Sequence, residues 1–306
     1  MLRAGDELKI STPVARRLIS VTHGLKEKIM IQDIAPSKFQ NNYIAAEPEA
    51  SSRVMLFAEE KLLAFYDENK KSLRFPERRL FPENIGFVYL FAIDGEKFFL
   101  SEQTEFLPAG YHFYTMEEIR NLALGANTEI FAVFSAYHLQ KWYAVSKYCG
   151  SCGAKMTHAP AERALVCPEC GHRIYPRLNP AVIIGVINGD RILITRYRKG
   201  YRHNALVAGF IEFGETLEQA VEREVMEEVG LRVKNIRYYK SQPWGVSADL
   251  LAGFYCEVDG DDTIRMDRSE LKYAEWVARQ DIVLQPSEYS LTNTMMKAFK
   301  AEKEKE

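Results

Sequence analysis

Long hydrophobic runs are missing from this 306-residue chain: segments such as Ala181–Ile187 fall far short of the ~20 apolar residues that a membrane-spanning helix needs. An excess of charge of one sign is missing too. The chain carries 40 Lys+Arg and 42 Asp+Glu for a formal net charge of −2, which argues against bulk nucleic acid or an anionic membrane as its main partner. A local basic groove remains compatible with that balance. The opening Met1-Leu-Arg-Ala-Gly-Asp-Glu has acids where a signal peptide would be apolar, so a cytoplasmic protein with no membrane association is expected. Cysteine is scarce, with five residues, and a reducing compartment disfavours pairing them as disulfides. What is present, 47% hydrophobic and 27% charged residues, describes an ordinary globular protein with length for roughly two domains.

Four of the five cysteines stand as Cys149-x2-Cys152 and Cys167-x2-Cys170, with fourteen residues between the pairs. Two such knuckles give four soft thiolates a tetrahedral arrangement about one structural Zn²⁺ per chain. A glycine after each knuckle (Gly150 or Gly153, and Gly171) lets the chain turn under the metal. A redox pair would need only one CxxC and a thioredoxin-like context. Four cysteines fill the shell, so His158 and His172 are expected at the surface. Cys256, alone in an apolar run, is expected to pack inside a strand.

Four units are expected along the chain. Residues 1–127 form a β-rich N-terminal domain, with strand-like runs at 54–58, 61–66, 86–92 and 97–100. Residues 128–147 form a linking helix, in which Phe131, Phe134, His138, Lys141, Trp142 and Val145 fall at helical spacing. The ribbon occupies 148–175, and 176–306 form a second large domain. That domain opens with a strand at 181–187 and a hairpin turn at Asn188-Gly189-Asp190. The charged tail after Lys300 reads as a solvated helix end.

The chemistry concentrates between Gly209 and Leu231. Thr216-x-x-Gln219 is a capping box that opens a helix, and Gly230 closes it. Ala220 and Val225 are expected in the core. Glu224, Glu227 and Glu228 lie at i, i+3 and i+4, one turn of one face, where like charges destabilise an isolated helix. A cation relieves that repulsion, and clustered carboxylate oxygens suit Mg²⁺ or Mn²⁺ better than Zn²⁺. Such an ion beside a phosphate acts as a Lewis acid and activates water. Arg223 is placed to pair with Glu215 and orient the carboxylates. The competing reading is a solvated acidic helix face, which the fixed offsets of the two glycines, the cap and the arginine disfavour.

Residues 209–231 fit the Nudix box, G-x5-E-x7-R-E-U-x-E-E-x-G-U, at every defined position. With a four-cysteine ribbon directly upstream and Ser241-Gln242-Pro243-Trp244 downstream, residues of about 140–300 resemble the NADH pyrophosphatase (NAD⁺ diphosphatase) branch of the Nudix hydrolases. The resemblance implies an α+β protein: a Nudix α/β/α sandwich with a mixed sheet, a zinc ribbon and a β-rich N-terminal domain. It implies hydrolysis of NADH or NAD⁺ to nicotinamide mononucleotide and AMP by metal-assisted water attack. Glu224 and Glu228 would bind the divalent cations with the carbonyl of Ala208 and with Glu270. Glu227 would be a further ligand or the base, a role open to Glu270 too. Substrate contacts are implied for Glu162, Tyr175, Gln242, Pro243 and Trp244, and on weaker alignments for Arg120 and Thr292. Packing is the alternative for Trp244 and Tyr175.

One departure bears on specificity. The branch signature S-Q-P-W-P-F-P-x-S becomes Ser241-Gln-Pro-Trp-Gly-Val-Ser-Ala-Asp249 here, which loses a rigid aromatic stretch and is expected to leave Gly245 flexible. A homodimer is implied by the resemblance alone. Rival functions are hydrolysis of ADP-ribose or another nucleoside diphosphate derivative, removal of NAD caps from RNA, and a non-catalytic ligand-sensing regulator. For capped RNA, Lys147, Lys155, Arg163, Arg173 and Arg177 are the candidate phosphate contacts.

Overall fold

The computed structural model describes residues 30–101, 107–122, 124–200, 202–286 and 288–304; the expectations for the first 29 residues lie outside these. Among the described residues no helix is long and apolar enough to cross a membrane.

The N-terminal region builds two four-stranded sheets. In one, strands Phe39–Gln40, Phe87–Ile93, Glu96–Ser101 and Arg53–Met55 lie side by side; in the other, Phe57–Ala58, Lys61–Asp67 and Ser72–Arg74 follow in order, with His112–Tyr114 against Lys61–Asp67. The run expected as one strand at 54–58 is therefore two, split between the sheets. Leu56 at the break is fully buried, so the apolar pattern continues through the bend and hides it from the sequence. After a short helix α1 (Met116–Asn121), opened by a Thr115/Glu118 capping box, comes α2 (Asn127–Val145).

Helix α2 is buried along most of its length because two cores meet on it. Phe131, Val133, Phe134 and Tyr137 enter the N-terminal core, whereas Trp142 joins Cys149, Met156, Leu165 and Cys167 in the core of the ribbon. Its middle turn lies so close to Gly245 that a Cβ there would overlap the Phe134 carbonyl. Val145, the last of the residues at helical spacing, is 81% exposed, since the helix ends there and the chain turns into the first knuckle.

The C-terminal half is a six-stranded mixed sheet between helices. Its strands are β1 (Asn179–Asn188), β2 (Arg191–Tyr197), β3 (Val207–Phe210), β4 (Val233–Trp244), β5 (Asp249–Val258) and β6 (Leu271–Ala278). The order is β4-β5-β1-β2-β6 with β3 against β1; β1 and β5 run parallel and the other pairs antiparallel. Alternation along β1 sorts the two faces. Val182, Ile184 and Val186 pack under α3 (Leu217–Val229), and Ile183 and Ile187 under α4 (Leu291–Lys300). Cys256 is fully buried on the α3 face, as expected. Gly185 makes room for the ring of Tyr255, whose hydroxyl donates to the Met295 carbonyl at 2.7 Å. The chain after α4 does not extend as a solvated helix: Glu304 is 6% exposed and pairs with Arg279.

Candidate functional site: a cysteine cluster and a carboxylate cleft

The two knuckles fold alike. The N–H of Gly153 donates to the Cys149 carbonyl at 2.9 Å and that of Gly171 to the Cys167 carbonyl at 3.0 Å. Both glycines have positive φ, 78° and 73°, so Gly153 rather than Gly150 turns the first knuckle. The four sulfurs lie within 4.8 Å of one another, with Cys149–Cys170 at 3.6 Å and Cys152–Cys167 at 3.4 Å. A tetrahedron with Zn–S of about 2.3 Å has edges of about 3.8 Å, so the donor set fits zinc. Backbone N–H groups lower the Cys149 and Cys167 thiols toward the thiolate that a metal binds, while hydrogen bonds among the sulfurs raise those of Cys152 and Cys170. His158 and His172 are exposed.

The carboxylates sit where α3 faces β3. Thr216 and Gln219 form the reciprocal cap and Gly230 ends the helix at φ 67°, so the acidic turn is fixed in register against the sheet. Burial differs steeply within it: Glu228 is 2% exposed, whereas the side chain of Glu224 is 12% exposed and that of Glu227 60%. Gly209 is required here, because a Cβ on it would overlap the Glu224 carboxylate.

Arg223 organises the group. It grips Glu215 with Nε–Oε1 at 2.6 Å and Nη2–Oε2 at 2.9 Å, reaches Glu224 Oε1 at 2.7 Å and Glu227 Oε2 at 3.0 Å, and donates to the Phe210 carbonyl at 2.9 Å. The bidentate guanidinium holds Glu215 down to about 2. Glu228 moves the other way: burial, with the neighbouring charges of Glu224 and Glu270, pushes its carboxyl up to about 8. Burial also raises Glu224. Glu270, exposed in the turn before β6, thus faces the cluster through its charge.

Tyr197 completes the arrangement and was not legible in the sequence. Its hydroxyl accepts from the Ala208 N–H at 3.1 Å and donates to Glu228 Oε1 at 3.0 Å. An aromatic at a strand end carries no signal for that role; the bond depends on β2 lying near β3. The set is all oxygen, anionic, half desolvated and short of positive charge, which fits Mg²⁺ or Mn²⁺.

A cleft of about 430 Å³ opens beside the cluster, lined by Ala208, Gly209 and Tyr197, by Trp244, Arg120, Ser247 and Asp249, and by Ser290 and Thr292. It unites Arg120, Trp244 and Thr292, residues far apart in the chain. Trp244 lies edge-on to Phe134 at 5.2 Å, and the Arg120 guanidinium sits 5.2 Å from its ring centre. Packing and lining of the cleft are therefore both true of Trp244.

Other candidates fall elsewhere. Gln242 is fully buried. Its amide donates to the Tyr289 carbonyl at 2.8 Å and accepts from the Leu291 N–H at 2.7 Å, so it holds the start of α4 and is not presented to the cleft. Pro243 is exposed in β4 outside the cleft lining. Glu162 and Tyr175 meet on the ribbon, hydroxyl to carboxylate at 3.4 Å, with Arg173 on the same carboxylate, away from the cleft of their own chain. Gly245 is not flexible: it is buried against the Phe134 carbonyl, and Val246 packs on the N-terminal core. Arg163 is no phosphate contact either, since it donates to the carbonyls of Asn41 and Leu90.

Residues 177–299, which hold this sheet, its flanking helices and the box on α3, match the NUDIX domain family. Residues 146–175 match the NADH pyrophosphatase zinc ribbon domain. The chain is 44% identical over 151 residues to proteins named NAD-capped RNA hydrolase NudC from Escherichia coli O9:H4 (strain HS), Shigella boydii serotype 18 and Escherichia fergusonii. The match takes in 48% of this chain and 58% of each relative, so the chain spans less than two thirds of their length. A NUDIX hydrolase structure from Nitrosomonas europaea is 20% identical, covering 50% of this chain and 90% of that one with a TM-score of 0.45.

Proposed function

We propose that the chain hydrolyses the diphosphate bond of NADH or NAD⁺, giving the nicotinamide mononucleotide and AMP. The observation that carries this is the Ala208, Glu224 and Glu228 oxygen cluster opening onto the cleft that holds Trp244 and Arg120. Mg²⁺ or Mn²⁺ bound by Glu224, Glu228, Ala208 and Glu270 would offset diphosphate charge and activate water. The chain's own groups do the rest. Tyr197 holds Glu228 in place, and Arg223 fixes the rotamers of Glu224 and Glu227. Exposed Glu227 is the carboxylate best placed to take a proton from water entering with substrate, with Glu270 the other candidate. Trp244 and Arg120 offer a ring face and a cation to the nucleoside. The cysteine cluster uses all four ligands on zinc, which leaves no open position for substrate.

Glu162 and Tyr175 lie off the cleft within one chain. Their proposed contact with substrate therefore goes with a homodimer, and a light-scattering mass near the 35.1 kDa monomer would remove both. The divisions at 127, 147 and 175 are proposed as domain boundaries, with α2 the shared strut. Reduced thiolates suit the cytoplasm.

Removal of NAD caps from RNA is a second reading, favoured by the name of the relatives and by Lys147 and Lys155, both exposed on the ribbon. The deciding experiment is product analysis by chromatography and mass spectrometry with NADH, NAD⁺, ADP-ribose and diadenosine polyphosphates, each with Mg²⁺ or Mn²⁺. Nicotinamide mononucleotide and AMP support the proposal; fast ADP-ribose turnover with NADH untouched refutes it. Capped RNA, cleaved in a salt-dependent manner, would extend it.

A further inference from the structure

Asp249 is the first residue of β5 and is 7% exposed, yet it lines the cleft together with Trp244, Arg120 and Thr292. It is a carboxylate where the branch signature has serine. Its donors are neutral: the Ser247 hydroxyl, and the Asn179 amide at 3.4 Å. A carboxylate has about four acceptor positions, so these two leave capacity for a donor arriving in the cleft. A buried carboxyl group with unused acceptor capacity gains from a ligand N–H placed on it.

Position defines which part of a ligand it meets. Ala208 pairs with Ile183 on β1, and Asp249 pairs with Asn179 on the same strand. Four residues at about 3.3 Å each set Asp249 roughly 13 Å along the sheet from the Ala208 carbonyl. A dinucleotide with its diphosphate at the carboxylate cluster extends a nucleoside in that direction, so the ring end, not the ribose phosphate, comes to Asp249.

Resting on the NADH reading, we infer that Asp249 is a specificity-determining residue: it accepts from an exocyclic N–H₂ group on the bound ring and repels a ring that presents an anion or a carbonyl there. The nicotinamide carboxamide and the adenine 6-amine share that chemistry.

The test is steady-state kinetics on the full chain with Mg²⁺, using NAD⁺, nicotinic acid adenine dinucleotide and nicotinamide hypoxanthine dinucleotide. The parent should favour NAD⁺ over one analogue by about tenfold to a hundredfold in kcat/KM, the range for a hydrogen bond to a charged group. Asp249→Asn and Asp249→Ser should narrow that ratio, chiefly through KM for the analogue. Narrowing on the nicotinic acid compound assigns the carboxamide, and narrowing on the hypoxanthine compound assigns the adenine amine. Unchanged ratios for both compounds, in variants that still melt cooperatively and retain zinc, overturn the inference. A readout without variants is inhibition of the parent by product pairs, nicotinamide against nicotinic acid mononucleotide and AMP against IMP; equal inhibition within both pairs also overturns it. A parent that cleaves none of the three dinucleotides refutes the NADH reading itself.

Discussion

The cysteine cluster fits a cation and the glutamate cluster is proposed to hold one, and they are built in opposite ways. Four identical soft ligands come from two short knuckles whose backbone bonds close locally, and all four sulfurs lie within 4.8 Å of one another. The carboxylates are not drawn together in this manner. They run from 2% exposed at Glu228 to a largely exposed side chain at Glu227; Glu224 and Glu227 share one arginine, which also reaches a strand carbonyl, while Glu228 takes a tyrosine from another element. A closed shell makes the metal part of the fold; an open, graded one leaves room for substrate and water.

The comparison breaks first at zinc. Apparent binding energies of such sites are on the order of 10 kcal/mol or more, so chelation should unfold the ribbon, read as loss of near-ultraviolet dichroism and new proteolysis at 146–175. Metal analysis should give one zinc per chain. A chelated protein that melts unchanged would show that the cysteines do not hold a structural metal.

Next come the carboxylates. Glu224→Gln and Glu228→Gln should lower kcat on NADH by about 10²–10³ or beyond, the scale for losing one preorganised electrostatic group, with melting temperature little changed. Glu227→Gln should depress turnover sharply while nucleotide binding by calorimetry persists. Full activity in that variant would move the base to Glu270. A smaller effect is expected from Arg223→Lys, which keeps the charge and loses the fork: apparent Mg²⁺ affinity should drop about 10–100-fold, and an unaltered Mg²⁺ titration would mean that the carboxylates need no orienting.

The smallest effect sharpens the contrast through pH. Without a cation Glu228 titrates near 8 in the folded chain, against an ordinary value of 4.5. Its protonated form therefore favours folding fully below 4.5, and that contribution fades as pH rises through about 8. Mg²⁺ competes with the same proton, so the melting-temperature gain from Mg²⁺ should grow as pH passes from below to above about 8. A gain independent of pH would remove Glu228 from the ligand set.

How much was legible differs between the two clusters for the same reason. The knuckles and the helix cap are local: spacing, glycine and capping chemistry within a few residues determine them, and the zinc ligands, α3 and its stop at Gly230 follow directly from the chain. The cleft is not local. Trp244 was visible as a motif, but the bond from Tyr197 and the place of Asp249 in the cleft were not, because they come from which strand lies beside which. Gln242 shows the converse. Its place in a motif suggests contact with substrate, whereas burial under α4 makes it a support.

By itself, then, the sequence determined the metal-ligand types, the acidic turn of α3 and the buried strand at 181–187, since each depends on short spacing or local composition. Only the tertiary structure decided which carboxylate is buried, that Gly245 is a close-approach position against α2, and that Arg120, Trp244, Asp249 and Thr292 share one cleft. Burial and proximity between distant segments arise from packing two cores on a single helix and from which strand lies beside which, and no local pattern encodes that geometry.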